Sequence, residues 1–342
     1  MYHESDDLFS LKLHYCLQVL SSELTHRKKK MANGSEALIK AFSGIGIDEK
    51  AIVSLLGESH PEDRQNFRKG CRDFFIEDER SFERWDDHRV KLLKHEFMRF
   101  KNAAVLRAMH PWERDARLIK EALIKGPQSY GVIVEVACTR SSDELLGARK
   151  AYHSLFDHSI EEDVASNVDS SERKLLVALV SAYRYEGPKV KDDTAKSEAK
   201  KLAHAIKNVD KKNLVEDEEV ISILSTRSKP HLKAVYKHYK EICGKNIDED
   251  LTADLIVLVA VHCLCIPQTY FCKILDASLT NNADKKVKKG LTRVIVTQAD
   301  RNMKEINEQY QKLYGVSLSQ KIEVTANGNY KDLLLTLISR GK

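Results

Sequence analysis

The sequence predicts an all-α protein assembled from four copies of one helical unit. Three observations carry this: chain-breaking residues are scarce, apolar residues recur at helical spacing, and one register occurs four times. Of 342 residues only 14 are Gly and 6 are Pro, about 6% together against a usual ~12%. These residues turn chains and fill hairpins, so a sandwich, a barrel or a long disordered chain is disfavoured. No stretch sustains period-2 alternation, which leaves strands absent or trivial.

The register is anchored on Glu58-Ser59-His60, Thr139-Arg140-Ser141, Thr226-Arg227-Ser228 and Thr297-Gln298-Ala299, at intervals of 81, 87 and 71 residues. Thirteen residues past each first member stand Cys71, Tyr152, Tyr239 and Tyr310. Sixteen past stand Phe74, Leu155, Ile242 and Leu313; seventeen past stand Phe75, Phe156, Cys243 and Tyr314. Spacing of i, i+3, i+4 marks the buried face of a helix after each anchor. The clusters Ile52-Val53, Val132–Val134, Val220-Ile221, and Leu291 with Val294-Ile295 predict a helix before each anchor. Ala37–Ile39, Leu118-Ile119, Leu202-Ala203 and Ile274-Leu275 predict one before that. Leu175, Leu176, Leu179, Val180 and Tyr183 form a later helical face, which Leu333, Leu334 and Leu337 repeat near the C-terminus. Each unit therefore holds about five short helices.

These patterns divide the chain into units 34–109, 110–186, 199–270 and 271–342. A polar interval carrying Gly187-Pro188 and a charge run reads as a linker over 187–198. Residues 1–33 form an N-terminal extension, of which 1–30 are either a tail or the product of an upstream start codon in the gene model. The segment Leu255–Cys265 is apolar all round but shorter than the ~18 residues of a membrane span, so it reads as a buried helix.

Net charge is +5, from 56 basic and 51 acidic residues. That is too mild and too mixed for a specific nucleic-acid partner, yet it leaves room for a local basic patch facing anionic lipid. The seven cysteines are odd in number and form no CxxC pair, which suits a reduced, cytoplasmic setting. No P-loop, HExxH or comparable catalytic set is present, so the sequence reads as non-enzymatic.

One loop carries chemistry. Phe42-Ser43-Gly44-Ile45-Gly46-Ile47-Asp48-Glu49 leaves one helix, turns on two glycines and enters the next. It reads either as a capped helix–loop–helix turn, with Asp48 as N-cap, or as an oxygen cage. Two glycines let carbonyls converge, and Ca²⁺ takes six to eight oxygens including a bidentate carboxylate.

Four registered repeats, this glycine loop, His110-Pro111-Trp112-Glu113-Arg114-Asp115-Ala116 before the second unit, Cys138–Ser141 and Leu291–Val294 together resemble the annexin family, its plant members most, over about residues 34–342. The resemblance implies a curved four-repeat disc around a central hydrophilic axis. It also implies calcium-dependent binding of anionic phospholipid membranes through convex-face loops, in stress or calcium signalling and in membrane trafficking or repair. The family loop is K-G-x-G-T with an acid about forty residues past the second glycine. Carried over, Phe42, Gly44 and Gly46 supply carbonyl ligands and either Asp86 or Asp87 the carboxylate, while Ile47 and Glu49 belong to a secondary calcium position. Ile45 is then a membrane contact.

The other three loops depart from the pattern. Lys125-Gly126-Pro127-Gln128 keeps one glycine, with Asn167 at the acid position; Asn208–Asn213 has none, though Asp254 stands at the acid position; and Thr325 replaces the fourth acid. One intact site of four is expected. Lys285, Lys286, Lys288 and Lys289, in the fourth loop, either attract an anionic leaflet or form a solvated charge run. Asp115 with Arg140 and Glu135 with Arg293 match the family's central ionic pairs. They fix repeat packing or, in an alternative reading, line a cation channel. The remaining alternative is a largely calcium-independent helical scaffold that binds protein partners or self-associates.

Overall fold

The computed structural model describes residues 49–71, 75–86, 99–181, 183–208, 213–252, 254–280, 283–326 and 328–340. Among them, the first unit contributes α1 (Glu49–Glu58), α2 (Pro61–Gly70), a hairpin of β1 (Phe75–Asp78) and β2 (Phe82–Trp85), and α3 (Arg99–Ala108). The second contributes α4 (Pro111–Lys125), α5 (Tyr130–Thr139), α6 (Ser142–Phe156), α7 (Ile160–Asn167) and α8 (Arg173–Val180). The third holds α9 (Asp192–Lys207), α10 (Glu218–Thr226), α11 (Lys229–Cys243), α12 (Ile247–Asp250) and α13 (Leu255–Cys265). The fourth holds α14 (Pro267–Ser278), α15 (Lys285–Gln298), α16 (Met303–Tyr314), α17 (Leu318–Thr325) and α18 (Gly328–Ser339). The fold is all-α. A helix already begins at Asp192, inside the stretch read as linker.

The anchor triplets are corners between two helices, and their residue types follow from that position. Ser141 and Ser228 cap α6 and α11, each accepting a backbone N–H two to three residues into its helix. The arginine before each serine turns inward to an acid: Arg140 to Asp115, and Arg227 Nε to Glu198 at 2.8 Å. The tyrosines thirteen residues past the anchor also share one role. Tyr152, Tyr239 and Tyr310 are buried, and their hydroxyls donate to Asp163, Asp250 and Asp276 at 2.5, 2.8 and 2.9 Å. A buried phenol needs such an acceptor.

The first unit departs from the expected pattern. Spacing of Cys71, Phe74 and Phe75 predicts a long helix, but α2 stops at Gly70 with Cys71 as its C-cap, and Phe75 opens a strand. The reason is local. Asp78 binds its own turn, accepting Arg80 N–H at 3.0 Å through Oδ1 and Ser81 N–H at 2.9 Å through its carbonyl, and Ser81 takes a positive φ of 63°. That Asx turn reverses the chain and pairs Phe75 with Trp85. The two rings stack with centroids 4.3 Å apart, Phe67 packs edge-on to Phe75, and Trp85 N–H donates to buried Glu113 of α4 at 3.0 Å.

Core residues from all four units form one cluster. The second and third units join through α5 against α13 and α8 against α10; the first and fourth join through α1 against α18 and α3 against α15. Within the second unit α4 lies on α6 at Gly147, where a methyl group would stand 2.2 Å from the Trp112 ring. Gly147→Ala is therefore expected to destabilise the protein by about 1–3 kcal/mol through overpacking, read as a lower urea midpoint with unchanged slope. No described helix is long and apolar enough to cross a membrane.

Candidate functional site

Side-chain contacts tie the described loops of the second, third and fourth units to one another, and that end of the array is the loop pole. In the second unit α4 ends at Gly126, whose φ of +79° a side chain would strain, and its N–H bonds back to Ala122 and Leu123. A short 3₁₀ turn over Pro127–Ser129 leads into α5, where the Tyr130 hydroxyl reaches the Asn167 carbonyl at 3.5 Å. The third loop is tied to the second by the Asn213 amide, which donates to Ser171 Oγ at 2.9 Å. In the fourth, Asp284 caps α15, accepting Val287 N–H at 2.8 Å. Lys289 reaches across to Glu121 of α4 at 3.2 Å, a carboxylate that also pairs with Lys125.

The predicted first-unit ligands divide. Phe42, Gly44, Ile45, Gly46, Ile47 and Asp87 lie outside the described residues, Glu49 is the first residue of α1, and Asp86 follows β2, half-buried. In the second unit Asn167 spends its amide on the Asp163 carbonyl at 2.8 Å and Ser166 Oγ at 3.1 Å. Thr325 turns its hydroxyl back to the Lys321 carbonyl at 2.7 Å. Asp254 stands at the start of α13, where burial and the Glu172 charge raise its pKa. Two carboxylates that the forty-residue count passes over, Asp169 and Glu172, stand close enough to Tyr130 to act on its hydroxyl, which burial already disfavours from ionising.

Among the described residues no three His, Cys, Asp or Glu side chains converge to hold a metal ion. A neutral amide and a neutral hydroxyl cannot replace the bidentate carboxylate that calcium takes. That holds for the two counted positions alone; Asp169 and Glu172 are carboxylates beside the second loop.

Four aliphatic side chains beside loops or at helix ends are exposed to an unusual degree. Ile124 at the end of α4, Leu255 at the start of α13 and Val324 at the end of α17 are 76%, 68% and 87% exposed, and Val287 in α15 is 41% exposed. Leu255 corrects the expectation that 255–265 is buried throughout: Val257 and residues 260–265 are buried, and the helix's first residue is not. Lys288 and Lys289 stand beside Val287 on α15, which Lys285 and Lys286 open.

The structure brings the four central ionic residues together as two pairs. Arg140 binds Asp115 bidentately, Nε to Oδ2 at 2.6 Å and Nη2 to Oδ1 at 2.7 Å. Arg293 donates to both oxygens of Glu135 at 3.1 and 2.9 Å, and the Tyr270 hydroxyl adds a third bond at 3.0 Å. Burial alone would raise the Asp115 pKa; the Arg140 guanidinium outweighs it and holds the carboxyl below its ordinary value. Cys138 and Cys263 are buried free thiols. Burial pushes Cys138 up to about 11 and Cys263 well above the ordinary value, the opposite of a reactive thiol.

An all-α array of like helical units, with two buried ion pairs among them, defines a four-repeat helical protein. The family model described as Annexin matches residues 114–179, 197–256 and 275–337, and none of the matched segments reaches the hairpin-bearing first unit. Annexin D4 of Arabidopsis thaliana is 56% identical over 311 residues, 89% of this chain and 97% of that protein. Annexin-like protein RJ4 of Fragaria ananassa is 38% identical over 316 residues, 90% of this chain and 95% of its own length. The solved structure of annexin III superposes with a TM-score of 0.76 at 25% identity, covering 90% of this chain and 93% of that one. The chain belongs to the annexin family, calcium-binding proteins that attach peripherally to anionic phospholipid membranes.

Proposed function

We propose that this protein attaches to anionic phospholipid surfaces through its loop pole, with calcium acting mainly at the first loop. The observation that carries the reading is the set of strongly exposed aliphatics, Ile124, Leu255, Val287 and Val324, beside the α15 lysines where the loops gather. Exposed aliphatics that share a face mark an interaction surface, and the lysines that follow Val287 on α15 suit a negatively charged one. Near such a surface each lysine contributes about 1 kcal/mol, less for Lys289, which Glu121 partly neutralises.

In this reading the carbonyls of Phe42, Gly44 and Gly46 and the carboxylate of Asp86 or Asp87 hold the cation, with Ile47 and Glu49 at a secondary position and Ile45 against the lipid. Bound calcium supplies charge that a lipid phosphate or carboxylate oxygen can complete. The neutral Asn167 and Thr325 leave the second and fourth loops to act by their apolar and lysine side chains. The protein is then cytoplasmic at rest and joins membranes as calcium rises, in signalling or in trafficking and repair.

Sedimentation with phosphatidylserine vesicles tests this. Binding should need calcium, and Asp86→Ala with Asp87→Ala should raise the calcium requirement at least about ten-fold. Leu255→Asp with Val324→Asp should weaken binding at saturating calcium. Equal binding in calcium and in chelator, untouched by the aspartate pair, removes the calcium mechanism. Failure to bind even at millimolar calcium, alongside a stable protein complex, favours the helical scaffold, which the two neutral loop positions also suit.

A further inference from the structure

The seam where the first unit meets the fourth gathers more buried guanidinium charge than its partners balance. Arg64 of α2, Arg107 of α3 and Arg340, just past α18, meet around one carboxylate, Asp300, and Arg114 of α4 lies close enough to Arg64 and Arg107 for their charges to act on one another. Arg107 donates to both Asp300 oxygens at 2.6 and 2.9 Å, Arg64 pairs with Oδ2, and Arg340 stands 3.5 Å from Oδ1. The arginines also cap helix ends. Arg64 donates to the Ser59 carbonyl at 2.6 Å, Arg340 to Gly57 at 2.9 Å, and Arg114 to Leu106 at 3.3 Å.

The balance of charge is uneven. Each helix C-terminus, here those of α1 and α3, carries about half a negative charge. Asp63 acts on Arg340 from the edge of the cluster. Asp115 also acts on Arg114, but Arg140 already holds it bidentately, and Arg301 is matched by Glu144. Four guanidinium groups against Asp300, two helix ends and a peripheral Asp63 leave an excess of about one to two positive charges. Arg107 Nε and Arg114 Nε are buried without an acceptor. Burial and neighbouring guanidinium charge push Arg64 and Arg114 down to about 9 each, so both stay charged at neutral pH. The cluster is not sealed: the side chains of Asp300 and Arg340 are 22% and 14% exposed.

We propose that this arginine cluster binds an oxyanion of the phosphate class, free phosphate or a phosphate monoester, with Arg340 and Arg64 at the mouth and Arg107 and Arg114 behind. Guanidinium forks match tetrahedral oxyanions in shape and charge. Asp300 occupies the same donors and therefore competes with the incoming anion. The site lies away from the loop pole and needs no calcium, so it stands apart from the membrane reading.

The test is thermal unfolding of the full chain in chelator, with inorganic phosphate or O-phosphoserine titrated against potassium chloride at matched ionic strength. Phosphorus NMR line broadening of the free ion provides a readout independent of unfolding. A ligand confined to the folded state raises Tm with concentration, and half-saturation at low millimolar separates binding from the general stabilisation by excluded salts. Wild type should show a saturable rise. Arg340→Gln should weaken half-saturation about five-fold. Asp300→Asn, which removes the competitor, should tighten it about five-fold while lowering Tm in chloride. A purely structural role for Asp300 predicts no such inversion. A response to phosphate alone identifies the free ion, and a response to both admits the monoester. No saturable rise and no broadening in wild type and Asp300→Asn, or a rise indifferent to both substitutions, overturns the proposal.

Discussion

Asp115→Ala should unfold this protein more readily by about 3–5 kcal/mol, although Asp115 lies far from the loop pole. The carboxylate is buried and binds Arg140 through two short hydrogen bonds. Its removal leaves Arg140 charged and buried beside Arg114 and Arg301, both already close enough to act on it. The cost comes from the stranded guanidinium, not from the pair itself. Replacing both partners by apolar residues of similar volume, Asp115→Leu with Arg140→Met, should therefore cost far less, about 1 kcal/mol or under. Denaturant midpoints of the two single variants and the double form the cycle. Equal losses in the single and double variants would show that the pair's own attraction dominates.

Asp300 should account for a large share of the protein's acid sensitivity. Burial would raise its pKa, but hydrogen bonding and charge from Arg107, with Arg64 and Arg340, bring it down to about 2. A carboxyl whose folded pKa is depressed stabilises the fold above its unfolded value and loses that contribution as pH falls through the folded value. The contribution is about 2 kcal/mol at neutral pH and disappears between about pH 4 and pH 2. Asp300→Asn should lower stability by about 2–4 kcal/mol at neutral pH and flatten the pH dependence across that window. An unchanged acid limb in the variant would place the acid sensitivity on other carboxylates.

The helices were legible because their signals are local and repeated. Ser141 and Ser228 cap helices in the way their position before a periodic run suggests, and the tyrosines past each anchor fall on buried faces. The hairpin was not legible. Phe75 sits in a short apolar run that fits a strand or a helix equally, Trp85 stands alone among charged residues, and only the Asp78 turn and the contact with Glu113 reveal the hairpin. The Asp300 cluster was hidden for a different reason. Its partners are separated by 236 and 193 residues in sequence, and no periodicity reports a pairing of that range. The exposed aliphatics were invisible because Leu255 opens a helix whose composition is uniformly apolar; exposure there follows from where the helix begins, a tertiary fact.

The joining of the first unit to the fourth has a consequence for biogenesis. α1 packs on α18, and Arg340 holds the Gly57 carbonyl across 283 residues of chain. The second and third units can pair while synthesis continues. The first unit meets the second early, through Trp85 and Glu113, but α1 and α3 gain their fourth-unit partners only after that unit has left the ribosome. At about 5–20 residues per second the nascent chain carries α1 and α3 without their packing partners for tens of seconds. The apolar faces of the earliest helices are the ones a chaperone would have to shield, and a chain that ends before α18 leaves them uncovered permanently.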